Sequence, residues 1–480
     1  MNKPALPADL SAERTSAGGG LPIAPSLEPE LQREVLPSSP YLADLRTVFI
    51  TALAAGLGLL AVVISRVLTS LIGFVTNLAY YGQISDAFSS PAGNHLRYWS
   101  VLVPVIGGLI VGIMARFGSA AIRGHGIPEA MEQVLQNESR IPPRLTFLKP
   151  ISAAVSIGTG GPFGAEGPII ATGGAIGSVI GQLIHTTASE RKALLAAGAA
   201  AGMTATFGTP ISAVLLAVEL LLFEFKARSL IPVAFACAAA AGGRIFVLGS
   251  SPVFAMPTVH LASSSAVAGY ALIGALSGLV SIYVTKLVYW IEDLFDHLPV
   301  HWMWWPAIGG LVVGLVGLVS PHTLGVGYDN IEDILDGSLS GQILLFFCLA
   351  KLISWSIALG SGTSGGTLAP LFTIGGGLGS IAGFLLGKVA PFQAIDSRVA
   401  ALVGMAAMFA GSSRAFLTSL IFAYEATHQQ SALLPLLAGC AAAYLVSSLL
   451  MRNTIMTEKI VRRGIVVPAE YAPALHHSHV

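Results

Sequence analysis

The chain has 480 residues, of which 54% are hydrophobic and only 10% charged, against about a quarter charged in an ordinary soluble domain. Its 25 Lys and Arg balance 25 Asp and Glu, a charge pattern that argues against nucleic acid as a partner. Apolar runs of about 20 residues recur along the chain, which therefore reads as a multi-pass helical protein of the lipid bilayer.

Residues 1–45 form a polar, Pro-rich tail without the apolar core of a signal peptide. Candidate spans follow at 46–80, 98–117, 144–160, 166–185, 191–206, 209–225, 229–248, 265–297, 302–320, 342–360, 369–388, 397–412, 414–427 and 431–451. The segments 46–80 and 265–297 exceed a perpendicular crossing and must tilt or project beyond the bilayer. Other spans are short and Gly-rich, so their irregular ends need burial in protein, because lipid offers the backbone no hydrogen bonds. The basic stretch after Met451 predicts a cytoplasmic C-terminus, and 466–480 forms a second tail. Cys237, Cys348 and Cys440 lie far apart in apolar segments and read as small hydrophobes; no motif calls for a metal or a cofactor.

A glycine-rich sentence is written twice. Gly158 to Ile184 and Gly360 to Leu386 share ten of 27 positions at a constant offset of 202, which carries Pro168 onto Pro370 and Gly181 onto Gly383. The register extends back to Lys149 and Lys351. Duplication predicts two related halves, 46–260 and 261–465, with the substrate where they meet, on helices interrupted by Gly and Pro.

Three short motifs punctuate these halves. Gly124-His125-Gly126-Ile127-Pro128 followed by Glu129 has the marks of a helix start, with a proline and a first-turn carboxylate. Such a start suits an anion, although a tight interhelical turn would use the same residues. Gly164-Ala165-Glu166-Gly167-Pro168 precedes an apolar helix, and Glu166 is the only carboxylate between Arg140 and Glu190. An ionised carboxylate there needs hydrogen bonds, which helix-end amides could supply and a competing anion could take over. That makes Glu166 either a gate and proton carrier or a plain capping residue. Gly366-Thr367-Leu368-Ala369-Pro370 is the repeat of this motif, with Leu368 where Glu166 stands.

These motifs, in this order and at these separations, resemble the CLC family of chloride channels and proton-coupled chloride antiporters. The family patterns GSGIP, GREGP and GxFxP stand here as GHGIP, GAEGP and GTLAP, and the resemblance covers residues 45–465. It implies an all-α polytopic fold of two inverted-topology repeats, built from tilted and broken helices, and a homodimer with one anion pathway per subunit. By position it implies an anion site made of the residues of all three motifs, with Glu166 as its protonatable gate. The amides of Thr367 and Leu368 match the donors to the central anion. Lys149, Lys351, Glu219 and Glu425 occupy matching contexts in the two halves and read as structural or electrostatic.

The departures are specific. His125 replaces the family's serine, and the late tyrosine aligns with Met456, so two hydroxyl donors are gone. His125 could offer an N–H donor, or a charge at acid pH, to the anion; alternatively its ring turns away onto a carbonyl. Leu220 stands where antiporters often carry an internal proton glutamate, which leaves antiporter and channel both open. The expected function is transport of chloride, with or without protons, in a bacterial inner membrane. The alternatives are a fluoride/proton antiporter and a purely passive chloride channel. An intramembrane enzyme would need a nucleophile with a base, or a metal cluster, at membrane depth, and the embedded segments show no HExxH and no such cluster. Too few residues follow the last span for a CBS-type regulatory domain.

Overall fold

The computed structural model describes residues 43–468; the tails at 1–42 and 469–480 lie outside the described residues. Within them the backbone is helical, with no strand and only two isolated bridges. In the first half, α1 (Leu45–Thr76) runs into a π-helical turn at Asn77–Tyr81. It is followed by α2 (Leu102–Phe117), α3 (Ile127–Gln136), α4 (Leu145–Gly158), α5 (Glu166–Leu183), α6 (Ala188–Phe207), α7 (Pro210–Leu216) and α8 (Ala227–Leu248). The second half repeats the order as α9 (Ser264–Asp296), α10 (Trp305–Val319), α11 (Tyr328–Asp336), α12 (Gly341–Gly360), α13 (Leu368–Leu386), α14 (Ser397–Ser413), α15 (Phe416–Thr427) and α16 (Leu433–Leu450). A short α17 (Glu458–Arg462) closes the described chain.

Eight helices among the described residues are long and apolar enough to cross a membrane. The longest, Leu45–Tyr81 with 37 residues and Ser264–Asp296 with 33, would measure about 50 Å or more at about 1.5 Å per residue. That exceeds a hydrocarbon core of about 30 Å, as their sequence length requires. The expected spans coincide with helices, while α3 and α11 are short additional helices between them.

Polarity does not decide which face of α1 turns inward, since both faces are apolar. On α1 the buried set Ile50, Ala54, Leu57, Ala61, Ser65, Leu68 and Ile72 follows helical spacing, while Leu59, Leu60, Val63 and Val67 on the other face are exposed. With apolar residues on both faces, helix association depends on close packing. The two repeats solve this identically. A Cβ on Gly173 of α5 would overlap the Gly198 carbonyl of α6, and a Cβ on Gly404 of α14 would overlap the Gly375 carbonyl of α13. The glycine-rich spacing that marked the duplication is thus the contact surface of each α5–α6 and α13–α14 pair.

Candidate functional site

Three irregular stretches precede helix starts: 123–126 before α3, 159–165 before α5 and 361–367 before α13. Their backbones pair with one another. Gly124 N–H donates to the Thr363 carbonyl (3.0 Å), Gly366 N–H to Gly164 (3.0 Å) and Gly164 N–H to Gly366 (3.3 Å). Irregular backbone at membrane depth is tolerated only when satisfied inside the protein. Here each loop satisfies another, and the pairing sets the starts of α3, α5 and α13 side by side. The approach is so close that a Cβ on Gly164 would overlap the Glu166 carboxylate, and one on Gly167 the His125 carbonyl.

Two buried lysines fix loops before helix starts in the same way, one in each half. Lys149 Nζ donates to the carbonyls of Ile122 and Gly124, both at 2.8 Å. Lys351 Nζ donates to Thr323 (3.0 Å) and Gly325 (3.4 Å). The second-half counterpart of Gly124-His125-Gly126-Ile127 is therefore Gly325-Val326-Gly327-Tyr328. Both Gly126 and Gly327 adopt positive φ, +94° and +72°, just before a helix. Sequence reasoning missed this fourth helix start. Its signal was the Gly-x-Gly pair lying at nearly the same offset as the two lysines.

Glu166, the first residue of α5, is completely buried. Its Oε1 accepts the Ala369 N–H in the first turn of α13, and its own amide also bonds to the carboxylate. Its Oε2 accepts the Tyr328 hydroxyl at 2.9 Å, and that hydroxyl in turn accepts the Ala165 N–H at 3.3 Å. The carboxylate thus lies at a helix N-terminus, where free amides and the helix dipole favour negative charge. Tyr328 is held by aromatic edges, with Phe207 at 5.7 Å and Phe254 at 6.0 Å between ring centroids. Phe422 packs on Phe207 and stacks on Phe372 at 4.8 Å. Tyr328, absent from the sequence-based site, is the side chain in closest polar contact with its central residue.

The remaining expected residues divide. Ile127 and Pro128 form the first turn of α3, with Pro168 and Pro370 in the first turns of α5 and α13, all buried. The amide of Gly126 is already taken by Glu129 Oε2 at 2.7 Å, and Lys459 holds the other oxygen of that carboxylate at 2.9 Å. Leu368 is buried, and the Thr367 hydroxyl is buried with no partner among the described residues. Among the described residues His125 does not bond to a carbonyl: the residue is 4% exposed, its Nδ1 has no partner there, and it lines a cavity of about 560 Å³. Met456 is fully buried, and its neighbour Ile455 lines the same cavity. Leu220 sits in a π-helical turn beside Glu219, both on a second cavity of about 510 Å³. Among the described residues no group of three or more His, Cys, Asp or Glu is placed to hold a metal.

The family model of the voltage gated chloride channel matches residues 106–448. Chloride channel protein CLC-f of Arabidopsis thaliana is 31% identical over 375 residues, 72% of this chain and 47% of that protein. The H(+)/Cl(-) exchange transporter ClcA of Vibrio campbellii is 29% identical over 390 residues, 79% of this chain and 83% of that one. The chain spans about half the length of the Arabidopsis relatives. Among solved structures, a slow cyanobacterial Cl-/H+ antiporter superposes with TM-score 0.77 at 23% identity, covering 86% of this chain and 98% of the other. A CLC-type fluoride/proton antiporter gives 0.72 at 20% identity, covering 84% and 96%. At those identities the structures speak for the fold.

Proposed function

The chain belongs to the voltage gated chloride channel family, and on that premise we propose that it carries chloride across a membrane through a pathway gated by Glu166. It is an integral, multi-pass membrane protein, and its family consists of transporters and channels rather than enzymes. The observation that carries the reading is the Glu166 carboxylate, completely buried yet bonded to the first-turn amide of α13 and to Tyr328. An anion position formed by helix-end donors is occupied by the protein's own negative charge. Protonation removes that charge, and chloride competes for the same donors. Helix N-termini replace part of the anion's hydration without binding it as tightly as a full cation would.

In this reading the halves 46–260 and 261–465 form one pathway between them, and two copies of the chain make a homodimer, each with its own route. The three motifs supply the anion-facing backbone, with His125 and Met456 in place of hydroxyl donors. The protein resides in a bacterial inner membrane with its C-terminus in the cytoplasm, as the basic stretch after Met451 supports. Proton exchange is the coupled form of this cycle, and passive conduction is the uncoupled one; Leu220 favours weak coupling. A fluoride/proton antiporter is the second reading, favoured by the unpartnered buried hydroxyl of Thr367, a compact donor suited to a small anion.

The test is chloride efflux from liposomes with simultaneous recording of external pH. Wild-type flux should depend on pH, and Glu166→Gln should flatten that dependence. A Gln variant with the wild-type pH profile would overturn the gate. Uphill proton uptake driven by chloride marks exchange, whereas flux without proton movement marks a channel. A much larger flux of fluoride than of chloride would select the second reading.

A further inference from the structure

We infer that Tyr328 is the latch of this gate: its hydroxyl holds the Glu166 carboxylate in the blocking position and sets how readily protons or anions release it. The inference rests on Glu166 as the gate and adds the residue that positions it. The geometry is direct. The Tyr328 hydroxyl donates to Glu166 Oε2 at 2.9 Å, and its oxygen accepts from Ala165 N–H at 3.3 Å. The amide can only donate and the ionised carboxylate can only accept, so the hydroxyl proton points to the carboxylate. The ring is clamped by Phe207 and Phe254, so the phenol has little freedom to swing away. Its backbone is fixed as well, since Lys351 holds Gly325 three residues before it.

Position in the repeat explains why the latch exists once. Tyr328 opens α11 as Ile127 opens α3, and both follow a Gly-x-Gly turn held by a buried lysine. Ile127 has no polar group to offer, and the residue matching Glu166 in the second half is Leu368. One half supplies the carboxylate and the other supplies its latch.

The groups facing Glu166 are few. Lys351 on α12 is the cation whose field reaches the carboxylate, and its ammonium is committed to the carbonyls of Thr323 and Gly325. From the α3 side, the His125 carbonyl packs on Gly167, next to Glu166. From α13 come only main-chain donors and uncharged side chains. Tyr328 is thus the one side chain hydrogen-bonded to the carboxylate among the described residues.

A hydroxyl that donates to the ionised form stabilises it, so its loss should favour protonation. Tyr328→Phe keeps the ring and its aromatic contacts and removes only the oxygen. Chloride efflux from liposomes over a symmetric pH series should then reach half-maximum at a pH higher by about one unit, the size expected for one hydrogen bond to a charged group. The chloride concentration that half-activates flux at neutral pH should fall several-fold. Phe254→Leu, which loosens the clamp but leaves the hydroxyl, serves as the packing control and should move the midpoint less. The double variant Glu166→Gln/Tyr328→Phe should match Glu166→Gln alone. If Glu166→Gln flattens the pH profile but Tyr328→Phe leaves the midpoint unmoved, the latch is overturned and the gate stands. If Phe254→Leu shifts the midpoint as far as Tyr328→Phe, the effect is packing and the latch is again overturned. A pH profile untouched by Glu166→Gln overturns the gate itself.

Discussion

Glu219 and Glu425 exchange helix ends. Glu219 accepts the amides of Leu417 (3.0 Å) and Thr418 (2.9 Å) at the start of α15, and Glu425, on α15, accepts those of Ile211 (3.0 Å) and Ser212 (2.8 Å) at the start of α7. Each carboxylate caps the other half's helix. Reciprocal contacts of this kind are what a two-fold relation between equivalent segments produces. Two charges that looked isolated in the sequence are therefore satisfied by the association of the halves.

Removing either cap should cost stability without altering the gate. Glu425→Gln and Glu219→Gln are each expected to lower unfolding free energy by about 1–3 kcal/mol, the range for hydrogen bonds to a charged group. Thermal unfolding in detergent measures this. The two losses should be similar, with the pH dependence of flux unchanged. A large loss for one and none for the other would contradict the reciprocal arrangement.

Gly164→Ala should act on the gate through space alone. Its Cβ would overlap the Glu166 carboxylate, whose other polar neighbours are the Ala369 amide and the clamped Tyr328 hydroxyl. The carboxylate must leave its position, so chloride efflux is expected to lose most of its pH dependence, as in Glu166→Gln. Retention of the wild-type profile would mean that Glu166 adapts without leaving the α13 amide.

His125→Ser should strengthen chloride binding. The imidazole lines the cavity with Nδ1 unpartnered among the described residues, so no hydrogen bond from that nitrogen is lost with it. A serine hydroxyl is a compact donor that can turn toward an anion. Calorimetric titration with chloride should show an affinity higher by about tenfold, the worth of about 1.4 kcal/mol for one added hydrogen bond. Unchanged affinity would place His125 off the anion's path.

Leu220→Glu should add a proton acceptor on the cavity that Glu219 already borders. Glu219 itself is committed to α15, with the Thr418 hydroxyl donating to it at 2.6 Å as well as the two amides. A second carboxylate there would be uncapped and able to titrate, at a cost of about 1–3 kcal/mol for an imperfectly paired buried group. Parallel recording of chloride and pH should show more protons moved per chloride than in the wild type. An unaltered ratio would show that protons do not pass this wall.

Composition alone determined the membrane class, because so few charges and so many apolar runs leave lipid as the only solvent. The offset of 202 determined the two-repeat organisation, and the glycine spacing that revealed it turned out to be the contact face at Gly173–Gly198 and Gly375–Gly404. The solitary Glu166 was also legible, since an embedded carboxylate stands out in an apolar segment. These are local properties of the chain, carried by neighbours in sequence. Its partners were not legible. Tyr328 lies 162 residues away and Ala369 lies 203 away, in the other half. The Gly-x-Gly before Tyr328 and the motif around Ala369 mark helix starts but do not pair either with Glu166, because a hydrogen bond across the interface depends on how two helix starts dock. The direction of His125 was undecidable for the same reason: a ring choosing between a carbonyl and a cavity is governed by the space that α3, α9 and α17 leave between them. Sequence specified which residues are costly to bury, and the packing of the two halves decided what each is buried against.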